Sequence, residues 1–208
     1  MAANEHKNLT DANRHNPKGF EIASNDTLCS KNINGTLEWV DKSEIKISTF
    51  KMQGYATCQT NYEYRQNLTD GQSPYEMNQD YGSATVGAAT LDVSDIFRTD
   101  AYIPHLAATV KYIRGWMSSS TNDTVTLAIC KVTPADATAT ALTPTVIDEI
   151  AIAMPGNPDA NDRLKTINET TITAPSVAAG DLIFPMLKTS GSTPVVYFNV
   201  TIGLCYDN

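Results

Sequence analysis

The sequence predicts an all-β protein: an extended N-terminal segment followed by a jelly-roll-like β-sandwich. Three observations carry that expectation. Roughly one residue in eight is Thr, against an ordinary usage of about one in eighteen. Thr suits pleated, half-buried surfaces, and the abundant Asn suits turns. From Ala84 onward apolar residues alternate with polar ones at the strand period, and turn signals separate the runs. No long amphipathic helical pattern is present.

The chain has 208 residues and a net charge of -8. That length suits one ordinary domain plus an accessory segment. Fifteen Lys+Arg against 23 Asp+Glu argue against nucleic-acid binding. The charge is uneven along the chain. Residues 1–42 carry five positive and six negative side chains, and residues 43–208 carry ten and seventeen. The acidity therefore belongs to the body. The first ten residues are polar, with no apolar stretch behind them, so no signal peptide and no membrane span are expected.

Residues 1–42 read as a separate segment. His15-Asn16-Pro17-Lys18-Gly19 is a tight turn, with Pro second and Gly fourth from Asn16. Asn34-Gly35 marks a hairpin between Thr27-Leu28-Cys29 and Leu37-Glu38-Trp39-Val40. So few apolar residues cannot bury a core alone, so this segment needs a partner surface. Residues 43–83 read as a linker or arm. Ile45, Ile47 and Thr49 alternate there, and the polar, Tyr-bearing stretch 61–81 reads as a long exposed loop.

The body, 84–208, builds strand by strand. A short helical turn is expected at Val93–Phe97. Leu106, Ala108, Val110 and Tyr112 form one strand face. Val125, Leu127 and Ile129 oppose Thr124, Thr126 and Ala128. Val146, Ile150 and Ile152 follow, then the Thr/Ile-rich stretch 164–173, then Leu182, Phe184 and Met186. The cleanest run is last. Val196, Phe198, Val200, Ile202, Leu204 and Tyr206 lie on one face; Val195, Tyr197, Asn199, Thr201, Gly203 and Cys205 lie on the other. About seven or eight strands at this spacing suggest a sandwich or jelly roll.

Chemistry-bearing patterns are sparse. Cys29, Cys58, Cys130 and Cys205 are too far apart for CxxC or zinc spacing. They read as reduced, packed thiols, with a sheet disulfide as the alternative. Of the three histidines, His6 and His15 lie in the polar segment, and His105 reads as a surface residue at a strand start. Asp148 and Glu149 are sequence neighbours on a strand, so they point to opposite faces and read as solvated. Asn157, Asp159, Asn161 and Asp162 crowd one loop, without EF-hand spacing, and read as an Asx-rich turn rather than a calcium site. The seven N-x-Thr sequons follow from composition. No catalytic constellation and no cofactor site is expected, so an enzyme is the weakest reading. Tyr102, Tyr112 and Trp116 form a candidate sugar-stacking set, because ring faces pack on sugar C–H groups.

Two stretches carry a resemblance. Residues 4–32, NEHKNLTDANRHNPKGFEIASNDTLCSKN, with GTLEWVDK at 35–42, resemble the opening of head-fibre or tail-fibre-type structural proteins in phages of Bacteroidetes hosts, crAss-like phages among them. Residues 177–204, VAAGDLIFPMLKTSGSTPVVYFNVTIGL, resemble the last strands of the jelly-roll knobs on such fibres. Cys29 departs from the Ser/Thr/Val expected at its position. The resemblance implies a non-enzymatic virion protein, made in the bacterial cytoplasm: a homotrimeric capsid fibre or decoration subunit. Its N-terminal segment would attach it to the major capsid protein or another virion protein, with His15, Asn16, Pro17, Lys18, Gly19, Phe20 and Trp39 as attachment residues. The alternative is a tail component whose jelly roll recognises a host-surface glycan through Tyr102, Tyr112 and Trp116.

Overall fold

The computed structural model describes residues 27–31, 37–41, 47–64, 76–77, 79–92, 101–134, 141–155 and 163–206. The chain divides into two compact units, Met1–Lys46 and Ile47–Asn208. In the first, β1 (Thr27–Lys31) pairs antiparallel with β2 (Leu37–Asp41), running from Thr27 opposite Asp41 to Lys31 opposite Leu37. These are the strands expected on either side of Asn34-Gly35. The turn at 15–19 lies outside the described residues.

Among the described residues the second unit has twelve strands. They are β3 (Ile47–Thr57), β4 (Glu63–Tyr64), β5 (Gln79–Asp80), β6 (Leu91–Asp92), β7 (Ala108–Ser119), β8 (Thr124–Val132), β9 (Ala141–Leu142), β10 (Thr145–Ala153), β11 (Arg163–Glu169), β12 (Ser176–Val177), β13 (Leu182–Thr189) and β14 (Val195–Tyr206). No described residue is helical. The turn expected at Val93–Phe97 lies outside the described residues. Two antiparallel sheets dominate, one ordered β11-β7-β14-β3 and the other β10-β8-β13-β4-β5. The all-β expectation holds.

Alternation in β14 sets the core. Val196, Phe198, Val200, Ile202 and Leu204 are all buried. With Met52, Ile113 and Met117 they meet Val125, Leu127, Ile129, Ile147, Ile183 and Leu187 of the other sheet in one cluster. Each side chain of this size stabilises the fold by about 1.5–3 kcal/mol when fully buried.

Three parts of the structure depart from the sequence reading. First, the sandwich does not begin at residue 84. β3 pairs with β14 over eleven positions, from Ile47 opposite Cys205 to Thr57 opposite Val195. The stretch expected to be an arm supplies an entire sheet edge. Its described tyrosines are not in an exposed loop either: Tyr62, Tyr64 and Tyr81 are buried, while residues 65–75 and 78 lie outside the described residues. Each pairs a large apolar ring with a hydroxyl that needs a partner, so a Tyr-rich stretch can cover a sheet while looking polar in sequence. The Tyr62 hydroxyl donates to Glu149 Oε1 at 2.6 Å, and the Tyr81 hydroxyl accepts from Gly87 N and Ala89 N.

Second, β8 does not alternate between core and solvent. Thr126 and Ala128 are as buried as their neighbours. The second face of this sheet carries its own cluster, in which Ala128, Cys130, Val132, Leu182, Phe184 and Met186 lie with Tyr62, Tyr64, Tyr81, Leu91 and Leu142. A strand covered on both faces loses the period-2 signature.

Third, Tyr112 does not share a face with Ala108 and Val110. Gly203 pairs with Tyr112 and Leu204 with Val110, so Lys111 is an extra residue on β7. This bulge turns Tyr112 to the opposite side. Leu106 lies ahead of the strand and is exposed.

Candidate functional site, the outer face of the four-stranded sheet

The register of β11-β7-β14-β3 lays the outward side chains in rows. One row runs Leu164, Ser118, Tyr197, Tyr55. The next is Thr166, Trp116, Asn199, Gln53. A third is Asn168, Arg114, Thr201, Lys51, and a fourth holds Tyr112, Gly203 and Thr49. Adjacent strands stand about 4.8 Å apart and alternate residues about 6.7 Å apart. Trp116 and Tyr197 are therefore diagonal neighbours on adjacent strands.

Large apolar side chains on an outward face are usually few, yet here Leu164 is 60% exposed, Tyr197 43% and Trp116 38%. The Tyr55 and Tyr197 ring centroids lie 5.5 Å apart. Asn199 Nδ2 donates to Gln53 Oε1 at 3.5 Å. The Tyr55 hydroxyl donates to Glu76 Oε2 at 3.4 Å, at the sheet edge.

Arg114 is held from two sides. Its Nε donates to Asn168 Oδ1 at 2.9 Å. Its guanidinium carbon stands 4.5 Å from the Tyr112 ring centroid, a cation–π contact. The Tyr112 ring in turn lies over Gly203: a Cβ there would come within 2.4 Å of its Cε1. Between Arg114 and Trp116, Gly115 lets β14 approach so closely that a Cβ would come within 2.0 Å of the Asn199 carbonyl oxygen. The strand positions of this face hold Lys51 and Arg114 and no Asp or Glu.

The structure brings Tyr112 and Trp116 of the candidate sugar set onto this face and separates Tyr102 from them. Tyr102 stacks on Phe50, with centroids 3.9 Å apart and planes 5° from parallel. Its hydroxyl meets that of Tyr206 at 2.5 Å, and both side chains pack against the main core. Burial, followed by the Tyr102 hydrogen bond, pushes the Tyr206 phenol up to about 12. Tyr102 thus closes the core instead of offering a ring to solvent. His105 is exposed, with its ring 4.7 Å from that of Tyr206. Of the attachment residues, Trp39 lies in β2 opposite Cys29; residues 15–20 lie outside the described residues, as do 157–162.

Sequence reasoning missed Tyr55, Tyr197, Asn199, Gln53, Lys51, Arg114 and Leu164. The signal for two of them was present: Tyr197 and Asn199 sit on the outward parity of the cleanest strand. Only strand order could add the rest.

The other polar clusters hold the fold together. Asp148, expected to be solvated, is buried and accepts from Thr173 Oγ1 at 2.9 Å. Glu149, on the opposite face, accepts from Tyr62 and pairs with Lys188 Nζ at 3.3 Å. Asp181 is fully buried and accepts from Thr133 Oγ1 at 2.6 Å and Ala178 N at 2.8 Å, with Lys131 Nζ at 3.4 Å. The Asp123 carboxylate accepts from Ser192 and Thr121, and those bonds hold its pKa below the usual carboxylate range. Cys58, Cys130 and Cys205 are buried. Among the described residues no three His, Cys, Asp or Glu side chains gather in one place.

No family model matches this chain, and no curated protein sequence matches it.

Proposed function

We propose that the chain is a virion structural protein, a homotrimeric capsid fibre or decoration subunit docked through its N-terminal segment. The observation that carries this reading is the division at residue 46. A two-stranded hairpin is at best marginally stable alone in water. The N-terminal unit is rich in Asn and Lys and poor in apolar residues, so it gains most by burying surface between chains. The unit that follows has its own core and asks for no such help. The resemblance of residues 4–42 to fibre openings gives that asymmetry its biological sense: a docking piece and a projecting piece. Polar chemistry in the projecting piece serves turns and sheet covers, which suits a structural role.

Light scattering on the full-length protein tests the reading. A trimer is expected. Removing residues 1–46 is expected to leave a folded, monomeric β unit that no longer joins the particle. A full-length monomer, or loss of folding on truncation, would overturn the proposal.

A further inference from the structure

We propose that the outer face of β11-β7-β14-β3 is a binding site for an anionic polysaccharide, with Trp116 and Tyr197 as stacking platforms and Arg114 and Lys51 as the charge-reading pair. The inference stands on the face alone and holds wherever the chain sits in an assembly.

Charge comes first. The protein carries a net charge of -8, yet the four outward rows hold Arg114 and Lys51 and no carboxylate, with Lys111 exposed at the β7 bulge and Glu76 at the β3 edge. Arg114 and Lys51 share one row, separated by Thr201, so they lie about 10 Å apart across two strand spacings. Among the described residues neither has a carboxylate partner: the ion pairs there belong to Lys131 and Lys188. The bond from Nε to Asn168 and the stack on Tyr112 fix the Arg114 side chain while leaving its two terminal nitrogens to meet an anion. A fixed guanidinium loses less entropy on binding than a free one.

The remaining chemistry selects a sugar. The exposed Trp116 ring is flanked by Thr166 and Asn199 in its own row and by Thr201 in the next, so it stands among polar side chains. A protein interface centre is normally contiguous and apolar. Separate ring faces among hydroxyls and amides instead match pyranose rings, whose C–H faces stack and whose hydroxyls both donate and accept. A second copy of this same face is a poor occupant, because it would set Arg114 and Lys51 against like charges, while the acid at the face's edge, Glu76, is held by Tyr55 two rows from Lys51.

The test uses full-length protein in affinity gel electrophoresis with alginate, polygalacturonate and dextran sulfate, against neutral dextran and poly-L-glutamate. At least one acidic polysaccharide is expected to retard the protein more than poly-L-glutamate at equal charge, and increasingly as salt falls. Trp116→Ala and Arg114→Gln are each expected to weaken that binding about tenfold, the loss of one ring or charge contact. Both residues are exposed, and circular dichroism matching the parent shows that the fold is kept; Arg114→Gln carries the test if Trp116→Ala does not fold. Absence of retardation by all three acidic polysaccharides overturns the proposal. So does equal retardation by poly-L-glutamate, which would mean charge alone or an acidic protein partner. A change of oligomeric state in either variant would assign the face to contacts between copies and overturn it as well.

Discussion

Replacing Gly115 with Ala tests the packing of the two central strands of the four-stranded sheet. A Cβ at this position would lie 2.0 Å from the Asn199 carbonyl oxygen and 2.7 Å from Val200 Cα. Ordinary contacts of this kind fall near 3.5–4.0 Å, so β7 and β14 must part by more than about 1 Å. The obstructing atoms are backbone of a strand paired on both sides, and no side-chain rotation relieves the clash. Overpacking of this kind costs about 1–3 kcal/mol. Weakening one or two flanking ladder bonds adds about 1 kcal/mol each. A loss of roughly 2–5 kcal/mol is expected, which in a unit of this size lowers Tm by about 4–20 °C. Gly180→Ala is the control. Gly180 has φ +83° and nothing within 4 Å of its Cβ site, so it bears only the left-handed backbone cost of about 1–2 kcal/mol. Thermal unfolding of both variants by circular dichroism, at one protein concentration, separates the two mechanisms. If Gly115→Ala loses no more stability than Gly180→Ala, the close approach of β7 and β14 does not exist in solution.

Two further outcomes are expected. Burial, helped by the nearby Asp80 charge, raises the Glu63 carboxyl from 4.5 to about 7. The folded state therefore holds a proton that the unfolded state has lost, and stability falls as pH rises from about 4.5 to about 7, then levels. Glu63→Gln should abolish that slope and gain about 1–2 kcal/mol at pH 8 while matching the parent at pH 4.5; urea titrations at the two pH values check this, and an unchanged slope would exclude Glu63 as its source. Burial also holds the thiols of Cys58 and Cys130 above their ordinary range. Thiol labelling with peptide mapping should find both unreactive in native protein at pH 8 and fully reactive in denaturant; native labelling of either would contradict the packing.

The sequence is most readable where one strand face meets the core and the other meets solvent. β14 is that case, and alternation alone separates its inward set from its outward set. The β1–β2 pairing is legible too, because Asn-Gly is a local turn signal. What is not legible depends on neighbours distant in sequence. Thr126 looks like a solvent position until Tyr62, Lys188 and Glu149 are seen to cover that face. β3 looks like an arm because the eleven partners of its ladder lie on β14, 138 to 158 residues later. Tyr112 looks like a core residue because a bulge has no signature on the strand that carries it; the glycine that makes room is on β14.

The candidate face joins Tyr112 and Trp116 to positions that escaped sequence reasoning. The extra residue at Lys111 turns Tyr112 outward. Gly203 leaves space for its ring, and the ring with Asn168 fixes Arg114. Gly115 draws β14 in beside Trp116, with Asn199 level with it and Tyr197 one row away. A regular sheet would need none of these devices. Gly in a strand interior weakens it by about 0.5–1 kcal/mol relative to Ala, and a bulge leaves a residue unpaired. Two glycines and a bulge lie within a few residues of one another and act on the same outward rows, while the bulge also lets Val110 and Ile113 both face the core. Departures from local rules are expected to gather at functional or strained sites. On that ground the outward rows around Arg114 and Trp116, more than any loop of the chain, are the place to look for a ligand.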